Sequence, residues 1–579
     1  MHRRQGARRG ITAAAAVMVF LAPVLGLSAA EPARGLAAVD TDLQGMIDAA
    51  IAAGERRVVI PPGRHRVTAR NGRHLSFKGL HGVEIVAEGV ELVATSTCRI
   101  ATFEDCTDLV LRGLTVDFDP LPFTQGRITA VADDTAWVEF EIIDGYPENG
   151  LRERIEIYDP ATGRLRRETA RWEPTFERLG ERRYRVRKHE GHRHRPGFDT
   201  EQVGDILVTN NAFPERAWGH AFDASRCTGL VLEDITLYAA ECFGFIEHDC
   251  AASTYRRCRV DRRPPETDPV RRAVPRMRSL NADAFHSVGA TKGPAIIDCT
   301  AKYQGDDCVN IHGTYHVIIG AEGTRLRVVA PRGMTIAAGD PVEFLPATGP
   351  RPPDASALAV EPDAGLDAAE RESITRLWIR DRIREQLVEE TSRVFTITLD
   401  RPVTLPPGSV VCSGNRVGNG FAVTGCDFGF NRSRGILIKA SRGIVADNTI
   451  RHGWMAAVLV APEYWWLEAA SASDVVIRDN RIEGCRRPAI EVVALGGDGR
   501  PLPAGAHRRI TIERNRIRDS AWPNLLIGST TGLTLRDNET TGADPMDFTP
   551  PLAHRWNWKD RAPGPIVTEA CETIDDPRP

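Results

Sequence analysis

A short frame recurs through the C-terminal third of the chain and limits what it can fold into. Val445–Ile450, Ile477–Ile482, Ile512–Ile517 and Leu535–Thr540 each run apolar, two polar, Asn, one further residue and then usually Ile. The Asn positions, 448, 480, 515 and 538, are 32, 35 and 23 apart, so the unit is about 22–24 residues with loops of variable size. Apolar residues alternate within the unit, as in Leu533–Leu535, which is the period of a strand and not of a helix. Stacked coils of this length make a parallel β-helix. The Leu-x-x-Leu-x-Leu frame of a leucine-rich repeat is absent. Asn suits a repeated turn slot, because it tolerates left-handed backbone and hydrogen-bonds its neighbours in a ladder.

The frame extends upstream. Cys426, Cys299, Cys258 and Asp234 fall in the Asn slot of earlier coils. Leu43, Ile47, Ala50 and Ile51 share one face of a short helix, with Asp40 or Thr41 as N-cap and Gly54 as stop, placed to cover the open end of the coil stack. Two stretches, 121–205 and 316–415, break the frame with strand-like runs of their own and read as antiparallel β-barrels or sandwiches grown from coil loops. The expectation is an all-β chain: a right-handed parallel β-helix with two inserted antiparallel β-barrel-like domains. Its divisions are residues 1–30 as export signal, 31–120 as cap helix and first coils, 121–205, 206–315 as coils with the active site, 316–415, 416–545 as last coils, and 546–579 as a tail.

Composition narrows the function classes. A net charge of −4 over 579 residues points to neither nucleic acid nor an anionic membrane surface. The first thirty residues order a basic start (Arg3, Arg4, Arg8, Arg9), an apolar run from Ile11 to Leu27 and small residues Ser28–Ala30, the order of a secretory signal. The expectation is a secreted chain, with no later segment apolar enough to span a bilayer; the alternative reading of the same run is an N-terminal membrane anchor. The twelve cysteines permit disulfides, with Cys242 and Cys250, or Cys412 and Cys426, close enough in sequence to pair, or they serve as small buried apolar residues. No cysteine or histidine spacing suggests zinc.

The chemistry lies in Asn281-Ala282-Asp283 and Gln304-Gly305-Asp306-Asp307. Asp283 and Asp306 are 23 residues apart, one coil, and so lie on one face with backbones roughly 4.8 Å apart. Three acids so close must share a proton, pair with cations or bind metal. Extending the slot alignment puts Arg434 beside Asp307 and stacks Glu247, His312 and Lys439 in one column next to the acids, a set of donors and acceptors suited to a sugar ring. The plainer alternatives are a stacked Glu247–Lys439 ion pair and a packed His312. His286, His248 and Asn310 are weaker candidates, and Trp454, Tyr464, Trp465 or Trp466 offers a stacking platform on later coils.

These motifs resemble two families. Asn-x-Asp followed one coil later by Asp-Asp is the acid arrangement of glycoside hydrolase family 28, the polygalacturonases. The sequence departs from that family: His312 follows Asp307 by only five residues, and Ile438-Lys439 lacks the adjacent Arg. Gly305–Tyr315, with Asn281–His286 upstream, more closely resembles glycoside hydrolase family 110, the α-1,3-galactosidases, whose plan is also a β-helix with two inserted barrels. The resemblance implies Asp283, Asp306 and Asp307 as catalytic acids; crowding of the three suggests Asp306 as general acid, with Asp283 and Asp307 positioning and deprotonating water. It further implies no metal or other cofactor, and an inverting, exo-acting hydrolysis of terminal α-1,3-linked galactose on glycans; the coil frame and the motifs offer His312, Lys439, Glu247, Arg434, Asn281 and Asn310 as the substrate contacts. The two protruding insertions leave room for a homodimer. The competing readings are a calcium-dependent polysaccharide lyase with Arg434 as base, a polygalacturonase-like hydrolase, and a non-catalytic glycan-binding β-helix.

Overall fold

The computed structural model describes residues 37–148, 151–167, 172–189, 201–211, 219–270, 272–331, 333–389, 393–542 and 564–575. The expected export segment, residues 1–30, lies outside them. Each coil supplies three short strands. One joins a 12-stranded sheet, and the other two, separated by a bend, join a 22-stranded sheet that wraps the remaining faces. In one coil these are Ile436–Ile438, Gly443–Ala446 and Thr449–Arg451, paired in parallel with the coils on either side. The inward residues of successive coils form one continuous apolar core from Leu43 to Leu535.

The slot ladder is a chain of side-chain acceptors. Asn448, Asn480 and Asn515 each donate a backbone N–H to the Oδ1 of the next Asn, ending on Asn538, at 3.1 Å per step. Cys426 N–H joins the ladder at Asn448 Oδ1, and Cys299 N–H lies 3.4 Å from Cys426 Sγ. The left-handed residue is the one before the slot: Asp298, Asp447, Asp479, Arg514 and Asp537 all have φ between 51° and 58°. That shifts one expectation. Asp234, with φ 54°, is a bend residue, and Ile235 occupies the slot. No disulfide joins the described cysteines, Cys242–Cys250 and Cys412–Cys426 included; they pack as small apolar residues.

A helix at Leu43–Ala52 covers the N-terminal end, capped by Asp42, whose side chain accepts from Gly45 N–H, rather than by Asp40 or Thr41. At the other end, residues 566–575 are not wholly a tail: Ile566–Glu569 and Glu572–Asp575 add a further coil on the strands Leu525–Gly528 and Thr530–Arg536. The first insertion is a seven-stranded antiparallel sheet between Phe123 and Asn211. The second is a closed six-stranded barrel between His316 and Ser413 with two short helices, Ala368–Thr375 and Asp381–Val388. No described helix is long and apolar enough to cross a membrane.

Candidate active site

The outward residues of the 12-stranded sheet run in a row: Asp223, Ile246, His286, Asn310, Leu437, Leu459, Glu491 and Leu526, one per coil. Asp283, Asp306 and Asp307 sit in the turns entering this sheet. Oxygens of all three lie within 4.8 Å of one another. Gly305 lets the second turn close: a Cβ there would stand 2.8 Å from Asn281 O.

The three carboxyls have different surroundings. Asp306 is the most accessible, with 29% of its side chain exposed, and its Oδ2 takes hydrogen bonds from Arg154 at 2.7 Å and Arg432 at 2.8 Å. Burial alone would raise its pKa, but the charges of Arg432, Arg154 and Arg434 outweigh burial and lower it to about 2. Asp307 accepts Arg434 N–H at 2.8 Å and pairs with its guanidinium at 3.0 Å. Burial, helped by the neighbouring Asp283 and Asp306 charges, still holds Asp307 well above the usual carboxylate range. Asp283 is raised for the same reasons, burial first and Asp306 second. Its Oδ2 lies 2.7 Å from His286 Nδ1, and its Oδ1 accepts Asp307 N–H at 3.3 Å. Burial lowers both His286 and His312 to about 4, so both rings are neutral.

Four of the six expected contact residues converge beside the acids. His312 Nε2 is 3.0 Å from His286 Nε2. Lys439 Nζ donates to Asn310 Oδ1 at 3.0 Å and to Glu468 Oε2 at 2.8 Å. Arg434 bridges Asp307 and Glu463. The other two are elsewhere. Glu247 aligns with Ser287 and Ile311, not with His312. The one-residue slip at Asp234 turns it to the opposite face, where it accepts from Ser287 Oγ at 2.6 Å and Tyr255 Oη at 3.3 Å; His248 holds the register expected of Glu247. Asn281 is buried, donating to Pro122 O and accepting from Arg278, and so anchors the first insertion. Among the aromatics, Tyr464 is buried with its hydroxyl on Gly408 O, Trp465 packs against Trp378, and Trp454 carries Arg486 over its ring at 4.1 Å.

Sequence reasoning missed Arg154, Arg432, Glu463 and Glu468. Arg432, two residues before Arg434, was within reach of the slot alignment. Arg154 comes from the first insertion, and Glu463 and Glu468 from a loop that folds back to pair with Gly313 and Thr314; no repeat frame points to them.

The donor set also weighs against a divalent cation among the three acids. Two guanidiniums already hold Asp306 and a third grips Asp307, and a cation would have to displace them. Arg434 is no base either, since its proton is held more tightly than usual: burial opposes its charge, but Asp307 and Glu463 outweigh burial.

Comparison with known proteins agrees with this fold. The family described as right handed beta helix region matches residues 411–546. Alpha-1,3-galactosidase A of Bacteroides fragilis is 28% identical over 284 residues, 45% of this chain and 42% of that protein. Alpha-1,3-galactosidase B of Phocaeicola vulgatus is 26% identical over 384 residues, 60% and 57% of the two chains. The chain thus spans about half the length of these relatives. The A-module of Azotobacter vinelandii mannuronan C-5 epimerase AlgE4 covers 89% of this chain, and is itself covered to 95%, at 12% identity and a TM-score of 0.36. This chain is a parallel β-helix protein related in sequence to the proteins named α-1,3-galactosidase.

Proposed function

We propose that the protein is an exported glycoside hydrolase that removes terminal α-1,3-linked galactose from glycans, by inversion, with Asp283, Asp306 and Asp307 as its catalytic groups. The observation that carries this reading is the unequal surroundings of three carboxyls within 4.8 Å of one another: two guanidiniums hold Asp306 ionised, while burial favours the protonated forms of Asp283 and Asp307. Glycoside hydrolysis needs that division, a carboxylic acid for the leaving oxygen and a carboxylate for water. The relatives' names supply the galactose and its linkage, and the basic, apolar and small-residue order of residues 1–30 supplies export.

The roles differ from those expected. Two guanidiniums hold Asp306 ionised, so it does not serve as the resting proton donor. The Asp283–Asp307 pair carries the proton and titrates as a unit. It protonates the glycosidic oxygen as the bond to the anomeric carbon breaks. Asp306, the exposed member, orients the attacking water and takes its proton as the new C–O bond forms. Solvent exchange then returns one proton to the pair and removes one from Asp306. The oxygens lie closer than the roughly 6.5–9.5 Å of the common inverting arrangement, so inversion rests on the resemblance.

Proton NMR of hydrolysis of a galactose-α-1,3-galactose substrate tests the reading. It expects β-galactose first. Initial α-galactose would reject inversion and keep the hydrolase. No galactose release, with an unsaturated product from an acidic polysaccharide, would replace the hydrolase by a lyase.

A further inference from the structure

Beyond the acid cluster, the outward row turns apolar. Leu437, Leu459 and Leu526 belong to a separate apolar cluster on this face, against which Trp378 and Trp465 pack. Glu491 interrupts it, between Leu459 on one coil and Leu526 on the next. Its neighbours Ile490 and Val492 face the core, which fixes Glu491 outward. It is 6% exposed and makes no hydrogen bond or ion pair among the described residues.

A carboxyl buried in an apolar row without a hydrogen bond costs stability. The fold does not need it, since Leu stands at the same register on both flanking coils. It stands on the same outward row as His286 and Asn310, which flank the acids. Burial raises its pKa, while Arg487 and Arg434 pull it down; Arg434 is the residue that grips Asp307. Three coil steps separate Glu491 from Asn310, about 14 Å at the spacing of adjacent strands. That places it past any sugar held at the acids. On the turn side of the same coils, Arg486 lies flat on Trp454.

We propose that Glu491 forms a subsite for the sugar on the leaving side of the scissile bond, its carboxylate accepting hydrogen bonds from neighbouring hydroxyls of a neutral hexose. The inference rests on the hydrolase reading above. It gives the enzyme a preference for oligosaccharides over simple galactosides, because the subsite is filled only when the leaving group extends along the sheet.

The test compares kcat/KM on an α-1,3-galactosyl trisaccharide and on an aryl α-galactoside, in the wild type and in Glu491→Leu and Glu491→Gln. The ratio of the two values falls roughly ten- to a hundred-fold in Glu491→Leu, and less in Glu491→Gln, which keeps one acceptor. Glu491→Leu also melts no lower than the wild type, because a buried carboxyl without a hydrogen bond has been replaced by the residue found on either side. An unchanged ratio overturns the subsite, and so does a fall in stability with equal loss on both substrates, which marks a structural residue. If the wild type cleaves neither substrate, the hydrolase reading fails and the subsite falls with it.

Discussion

His286 Nε2 lies 3.0 Å from His312 Nε2, so one of these two ring nitrogens must carry a hydrogen. His312 Nδ1 is 2.6 Å from Gly313 O, an acceptor, and so bears the proton of that ring. Neutral His312 therefore accepts at Nε2, and His286 donates from its own Nε2. Neutral His286 is left with an acceptor at Nδ1, facing Asp283 Oδ2 at 2.7 Å. Only a protonated Asp283 completes the chain. The hydrogen-bond geometry and the raised Asp283 pKa agree on where the proton sits.

Asp283→Asn should reproduce the bonding and remove the chemistry. The amide donates to His286 and accepts from Asp307 N–H, while activity falls about 10²–10⁴-fold. Because the folded Asp283 pKa lies above its unfolded value, the stability it contributes is complete below the ordinary carboxylate range and is lost as pH rises through the folded pKa. The variant's melting temperature, relative to wild type, should therefore climb between pH 4.5 and pH 8. A constant difference would mean that Asp283 is ionised throughout.

Asp306→Asn should behave in the opposite way. The folded pKa is depressed to about 2, so its stabilisation is present above the unfolded value and is lost as pH falls towards 2. At pH 7 the change leaves Arg154 and Arg432 without their shared carboxylate and should cost about 1–3 kcal/mol. Equal loss at pH 7 and at pH 3 in chemical denaturation would contradict the pairing.

Glu247→Gln tests the face assignment. Glu247 points into the coil stack, held by Ser287 and Tyr255, so turnover should stay within about two-fold while the loss appears in stability, roughly 1 kcal/mol. A large fall in kcat at unchanged stability would return Glu247 to the cleft.

Chelation should leave turnover unchanged. Arg154, Arg432 and Arg434 already neutralise the acid cluster. Loss of activity after EDTA dialysis, restored by calcium and by no other addition, would show that the acids hold a cation.

The repeat frame was legible because it is periodic. Asn448, Asn480, Asn515 and Asn538 each satisfy the coil before, so the same chemistry returns at the same spacing and the coil can be counted. The nearness of Asp283, Asp306 and Asp307 was legible for the same reason, but the register between their coils is 24 residues, so Asp307 stands over Asp283 where the 23-residue spacing had placed Asp306. Where Cys299 and Cys426 set the register, His312 and Lys439 came out correctly. Where Asp234 was taken for a slot residue, Glu247 came out on the wrong face, because side chains alternate and an error of one residue inverts the strand.

The sequence by itself determined the coil, its apolar interior and the convergence of three carboxyls, all of which follow from local period and stacking. Tertiary structure decided the protonation of those carboxyls. Arg154 reaches Asp306 from the first insertion, and Glu463 and Glu468 reach Arg434 and Lys439 from a loop that folds back to pair with Gly313 and Thr314. Charge and burial act through space, over distances that sequence spacing does not record, so which acid is ionised depends on what the insertions bring to it.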